Sequence, residues 1–160
     1  MCKCNNKFRD DKLHHECGVL GIYGVDDAAG LAYYGLHALQ HRGQQGCGIV
    51  TVGPTGEFHR VKGDGLVSEV FNEQKMEKLP GRMAIGHVRY SNAGCKGTEN
   101  IQPFLFHHNS GDFAMANNGQ IVNYNQLRQE LEDRGSLFQS SSDAEVLAHL
   151  IKKQGTDRSL

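Results

Sequence analysis

Residues 17–25 read CGVLGIYGV, a short apolar and aromatic run punctuated by glycine, and the sixteen residues ahead of it, MCKCNNKFRDDKLHHE, are polar and without period. The run has the marks of a strand that lets another backbone approach closely. The change in composition between Glu16 and Cys17 is the sharpest in the chain, and suggests a detachable leader (residues 1–16) joined to a folded domain (17–160). Of the five cysteines, at 2, 4, 17, 47 and 95, only Cys17 stands at the start of an element.

Working outward, DDAAGLAYYGLHALQHRG (26–43) places apolar residues at 28, 31, 32, 36 and 39, acids at the front, His41 and Arg42 at the back, and Gly43 as a stop. This predicts a helix of about four turns. IVTV (49–52), EFHRVKG (57–63) and LVSEVF (66–71), broken by Gly53-Pro54 and Gly56, read as short antiparallel strands and hairpins, and MAIGHVRY (83–90) and FAMANNGQIVN (113–123) as two further strands. NYNQLRQELEDRG (123–135), with Leu127, Leu131 and a terminal Gly135, and SSDAEVLAHLIKKQG (141–155), opened by a Ser142-x-x-Glu145 capping box, predict two helices. Strand, helix, strands, then helices suits sheets covered by helices, a layered α+β fold.

Composition sets the outer limits. With 160 residues, 38% of them hydrophobic, and twenty glycines, the chain has the balance of one globular domain at most. Seventeen basic against eighteen acidic residues, a net charge of −1, give no general pull toward nucleic acid or an acidic membrane surface. Small neutral or zwitterionic ligands suit it better. No apolar run approaches the ~20 residues that span a bilayer, and the opening segment lacks an apolar stretch that would serve as a secretory signal, so the expected compartment is the cytoplasm. An odd cysteine count argues against a disulfide framework. Cys2 and Cys4 with His14 and His15 lack the usual zinc-ligand spacing, and no metal ligands are expected among His87, His107 and His108. Cys47 and Cys95, among glycines, read as small buried or half-buried thiols.

The segments CGVLGIYG, YYGLHALQHRGQQGCGI, IGHVRYSNAG, ENIQPF, NNGQIVN and SSDAEVLAHLI occur in the order seen in one enzyme family. From Cys17 almost to residue 153 the chain resembles the glutaminase domain of amidophosphoribosyltransferases, a class-II glutamine amidotransferase domain. Other glutaminases of the class, in glucosamine-6-phosphate synthase and asparagine synthetase, begin with cysteine directly after the initiator Met. A leader before Cys17, with LQHRGQ and RYSNAG, favours the purine-synthesis enzyme.

The resemblance implies a four-layer αββα N-terminal-nucleophile hydrolase fold, incomplete at its C-terminus, with the leader cut off before Cys17. The freed α-amino group would then act as general base for its own thiol. An α-amine of pKa about 7.7 to 8.0 beside a thiol of about 8.5 shares one proton near neutral pH with little driving force wasted. Attack on the glutamine amide creates an oxyanion, for which the resemblance supplies the Asn118 side-chain amide and the Gly119 N–H. It assigns Arg89 to the substrate carboxylate, where a planar guanidinium makes two parallel hydrogen bonds, and Asp143 to the ammonium group. Arg42 and Gly43 line the same pocket. Each has a plainer reading beside it: an interior structural cysteine, an Asn-Gly turn, a helix cap at Asp143, and a cationic last turn at Arg42. Tyr90 reads as pocket wall. Asn92 and Asn117 depart from the family's common Thr and His, and are expected to alter affinity or rate rather than the reaction.

The phosphoribosyltransferase domain and its phosphoribosyl pyrophosphate loop are absent from the chain, so L-glutamine is the expected partner, and phosphoribosyl pyrophosphate only in the full-length enzyme. Magnesium and, in some members, an iron–sulfur cluster belong to that further region; none is expected in this chain. A homo-oligomer is compatible with the resemblance. Missing strands are expected to leave exposed edges and an unfinished core. Two other readings stand beside the glutaminase: a catalytically inactive binding or assembly module, and a metal-binding N-terminal tag on an unrelated fold.

Overall fold

The computed structural model describes residues 17–90, 98–109 and 111–156. Residues 1–16, with the leader and its Cys2, Cys4, His14 and His15, lie outside the described residues, as do Asn92 and Cys95.

Four strands form one antiparallel sheet: β1 (Gly18–Tyr23), β2 (Gly46–Val52), β3 (Phe58–Asp64) and β4 (Met83–Arg89), in the order β1-β4-β2-β3. The register sets Gly18 and Cys47 on either side of Val88, and Gly46 opposite Arg89. Strand β1 exposes Val19, Gly21 and Tyr23 while Leu20 and Ile22 turn inward, the period of two that its sequence predicts.

Helix α1 (Ala28–Ala38) covers the inward face. Asp27 caps it, its carboxylate accepting from the Gly30 N–H at 2.9 Å, and Ala28, Ala29, Ala32 and Leu36 are buried. Leu36 is wholly buried and sits on Gly86 of β4, where a Cβ would come within 3.0 Å of its Cδ1. Burial of such a side chain is worth about 1.5 to 3 kcal/mol. The helix breaks before Gly43, and a 3₁₀ turn (Gln40–Arg42) carries the chain into that glycine.

The opposite face of β2 begins with two glycines, Gly46 and Gly48. A Cβ at Gly48 would come within 2.4 Å of the Gln102 carbonyl oxygen, and one at Gly46 within 2.7 Å of Ile101 Cδ1, so these residues admit the 101–103 segment directly onto the sheet. That segment follows a second 3₁₀ turn (Thr98–Asn100) and leads into β5 (Phe104–Phe106), which pairs with β6 (Phe113–Met115) as a two-stranded antiparallel sheet. Helices α4 (Tyr124–Asp133) and α5 (Asp143–Thr156) come last in the chain, and the Lys152 ammonium of α5 lies 4.9 Å from the centre of the Phe113 ring. The arrangement is α+β, with two antiparallel sheets and α1 packed on the four-stranded one.

Three local expectations are corrected. LVSEVF is helical: α2 spans Val67–Val70 and is followed by α3 (Glu73–Met76). Its apolar residues at 66, 67, 70 and 71 fit a helical period as well as a strand, and Glu69 fixes the choice by accepting from the Leu66 N–H at 2.8 Å. FAMANNGQIVN is a strand only over Phe113–Met115; beyond it the backbone N–H groups of Asn117 and Ile121 bond to side chains instead of a ladder. Glu145 does not complete a capping box with Ser142. Buried at 2% exposure, it accepts from the backbone N–H groups of Gln139 and Ser140, both at 2.8 Å, and from the Ser140 hydroxyl at 2.6 Å, closing the loop before α5. Among the described residues no helix is long and apolar enough to cross a membrane.

Candidate active site

The site begins at the N-terminal edge of β1, where Cys17 is half-buried. Its Sγ accepts from the Tyr90 N–H at 3.2 Å and lies 3.5 Å from the Tyr90 carbonyl. Cys47 is the contrast: it is fully buried in the α1 core, and burial pushes its thiol up to about 12, which keeps it protonated and unreactive near neutral pH.

The Cys17 carbonyl is held from two sides. Asn118 Nδ2 donates to it at 2.6 Å and Arg42 Nε at 3.3 Å. Arg42 reaches this point because the 3₁₀ turn is fastened at Gln40, whose Nε2 donates to the Gly43 carbonyl at 2.5 Å and whose Oε1 accepts from the Val67 N–H at 2.7 Å. Gly43 then lies flat on the end of β4. A Cβ there would meet the Arg89 carbonyl carbon at 2.6 Å and oxygen at 2.7 Å, a backbone-to-backbone approach that only glycine permits. The Gln45 N–H donates to the same Arg89 carbonyl at 3.1 Å. Arg89 is thus placed at the end of β4, one residue before the backbone that contacts the Cys17 sulfur.

Gly119 follows Asn118 with φ of 150°, a torsion side chains rarely adopt, and nothing lies within 4 Å of where its Cβ would be. Asp143, half-buried as the first residue of α5, accepts from the Ile121 N–H at 2.8 Å through Oδ2. It therefore ties the 117–121 segment to α5, and an ionised carboxylate keeps further acceptor capacity for a cation. The structure brings Cys17, Arg42, Gly43, Arg89, Asn118, Gly119 and Asp143 into one linked cluster at the meeting of β1, β4, the 40–43 turn and the 117–121 segment.

Beneath that segment lie two residues for which no site role was expected. Gln102, 7% exposed, accepts from the Asn117 N–H at 2.6 Å through Oε1 and donates to the Asn117 carbonyl at 3.2 Å through Nε2. His87, expected at the surface or facing its strand, is 1% exposed on β4, and neither ring nitrogen reaches hydrogen-bond geometry. Burial pushes it down to about 4, the Arg89 charge adds to this, and the nearby Asn117 carbonyl opposes it. Its imidazole is neutral near pH 7. His107 and His108 are exposed, His107 beside Asp112 at 2.7 Å. Among the described residues no three His, Cys, Asp or Glu side chains gather as a metal site. The ENIQPF stretch pointed toward Gln102 without separating it from its neighbours; the Tyr90 backbone contacts have no sequence signal at all.

The class that this fold and cluster define is the glutamine amidotransferase domain: the family model of that description matches residues 73–159. The chain is 54% identical over 147 residues to amidophosphoribosyltransferase 1, chloroplastic, of Arabidopsis thaliana, covering 92% of this chain and 26% of the relative. It is 52% identical over 143 residues to the amidophosphoribosyltransferase of Lacticaseibacillus casei, covering 89% of this chain and 73% of that one. The solved structure of an enzyme described as the allosteric regulatory enzyme of purine biosynthesis superposes with a TM-score of 0.81 at 54% identity, over 86% of this chain and 30% of the other. The chain belongs to the amidophosphoribosyltransferase family, and its fold is the N-terminal-nucleophile hydrolase fold of that enzyme's glutaminase portion. It spans 26% of the Arabidopsis protein's length.

Proposed function

We propose that this chain is the nucleophile-bearing part of a glutaminase that supplies ammonia, within the full-length protein, to phosphoribosyl pyrophosphate in the first step of purine biosynthesis. The observation that carries the reading is the Cys17 environment: Sγ faces the Tyr90 N–H at 3.2 Å while Asn118 Nδ2, 2.6 Å from the Cys17 carbonyl, stands beside it. Removal of residues 1–16 converts the Cys17 nitrogen from an acylated amide into an amine. That amine takes the thiol proton as sulfur attacks the glutamine side-chain carbonyl carbon. The oxyanion so formed draws on Asn118 Nδ2 and the Gly119 N–H. Collapse returns the proton to the departing nitrogen, releases ammonia and leaves a γ-glutamyl thioester on Cys17; water, its proton taken by the same amine, then yields glutamate and the free thiol.

Arg89 grips the α-carboxylate, Asp143 the α-ammonium, and Arg42 with Gly43 closes the pocket wall. The uncut chain lacks the base and is inactive. Magnesium and any iron–sulfur cluster belong to the phosphoribosyltransferase part of the full-length protein, whose compartment is the cytoplasm.

The test is intact mass of the full-length protein before and after incubation with a glutamine-analogue diazoketone, alongside glutamine hydrolysis. Loss of the leader and a single label on Cys17, abolished in Cys17→Ala, is the expected result. Mature protein with Cys17 at its head that leaves glutamine intact overturns the reading.

A further inference from the structure

We propose that Gln102 is a positioning residue for the oxyanion-binding segment, its carboxamide clasping both backbone groups of Asn117 and so setting the aim of the Asn118 amide and the Gly119 N–H. The proposal rests on the reading of Asn118 and Gly119 as oxyanion donors.

Two bonds from one planar amide to the N–H and C=O of one residue imitate the pairing of neighbouring strands. The Gln102 bonds, 2.6 Å to the N–H and 3.2 Å to the carbonyl, fix the orientation of both peptide planes that flank Asn117, and the second of these planes leads into Asn118. Beyond Met115 the segment has left its ladder with β5, so the clasp replaces a strand partner where one ends.

The clasp is rigid because its base is. The Gln102 carbonyl packs on Gly48 of β2 so closely that no side chain fits between them. Ile101 beside it is fully buried, and the Lys62 ammonium donates to the Ile101 carbonyl at 3.0 Å. From β4, the buried His87 ring faces the Asn117 carbonyl. Asp143 holds the far end of the segment through the Ile121 N–H at 2.8 Å. Asn118 and Gly119 therefore sit on a short span fastened at both ends, the arrangement that keeps donors fixed before charge develops. Among the described residues the Gln102 side chain hydrogen-bonds to Asn117 and not to Cys17, Arg89 or Asp143, so its loss is expected in the chemical step and not in substrate binding.

The test uses the full-length mature protein and two variants. Gln102→Met keeps the volume and removes both bonds; Gln102→Glu keeps the acceptor for the Asn117 N–H and removes the donor. With rates normalised to titratable Cys17, Gln102→Met is expected to lower kcat for glutamine hydrolysis about 10- to 10²-fold, short of the ~10²- to 10³-fold cost of deleting a donor outright. KM is expected within about threefold of the parent, and Gln102→Glu between the two. Affinity for glutamate γ-semialdehyde, which forms a tetrahedral adduct with the thiol, should fall by the same factor as kcat. Alkylation of Cys17 by iodoacetamide, which forms no oxyanion, should keep its rate. Parental kcat and aldehyde affinity in Gln102→Met overturn the proposal, as does an equal fall in iodoacetamide alkylation. Should Gln102→Met not fold, parental kcat and aldehyde affinity in Gln102→Glu do the same. A parent protein inert toward glutamine overturns the glutaminase reading itself, and is seen before any variant is made.

Discussion

His87 shows how a single side chain couples the sheet to acidity. An imidazole in the unfolded chain takes a proton below about 6.5, whereas the folded one is held to about 4, chiefly by burial. Between those values the unfolded state binds more protons, so the stability His87 contributes is complete above pH 6.5 and is lost as the pH falls toward 4. The displacement corresponds to about 3 kcal/mol in all. Urea unfolding followed from pH 7 to 4 should show this loss, and His87→Phe should flatten it. Glu57, held down to about 2 with the Thr55 hydroxyl as main cause, contributes in the same direction only at lower pH, below its ordinary 4.5. An undiminished slope in His87→Phe would assign the acid sensitivity to other groups.

The contacts between elements separate packing from function. Leu36 of α1 fills the space above Gly86, and Leu36→Ala leaves a cavity expected to cost about 2 to 5 kcal/mol with little change in KM for glutamine. Gly43 is the reverse case. Its turn is pressed against the Arg89 carbonyl, so Gly43→Ala forces the 40–43 turn and the end of β4 apart. The expected stability loss is smaller, about 1 to 3 kcal/mol, while KM for glutamine rises at least about tenfold because Arg42 and Arg89 move relative to each other. Urea midpoints and glutamine kinetics on the two variants check the crossover; a Gly43→Ala protein with parental KM would remove the turn from the binding site.

Among the described residues, β1 and β3 are the edges of the four-stranded sheet, and β1 shows Val19 at 43% and Tyr23 at 83% exposure. Val122 and Leu137 are also exposed. An open edge bearing apolar side chains is a template for pairing with another chain. The 160-residue chain by itself is expected to self-associate, its weight-average mass in sedimentation rising with concentration, and Val19→Lys should reduce the effect. A concentration-independent monomer would show that the β1 edge is already protected.

What could be read along the chain was whatever depends on near neighbours. β1, α1, α4 and α5 were legible because period two, period 3.6, the acids ahead of Ala28 and the stop at Gly135 all act within a few residues. LVSEVF was misread because apolar residues at 66, 67, 70 and 71 satisfy both periods, and the Glu69 bond that decides between them is a side-chain contact. The identities in the cluster were legible through resemblance, but their meeting was not. Tyr90 lies 73 positions and Asn118 101 positions from Cys17; the β1–β4 register brings the first beside it, and the second arrives on the segment that follows β6. Gln102 acts on backbone groups of the segment beyond β6 and Glu145 on those of the loop before its own helix, and every residue carries the same backbone groups, so no pattern of residue types marks their partners. Local order was written in the sequence; the geometry at Cys17 came from long-range packing, which alone specifies which identical peptide groups face which side chains.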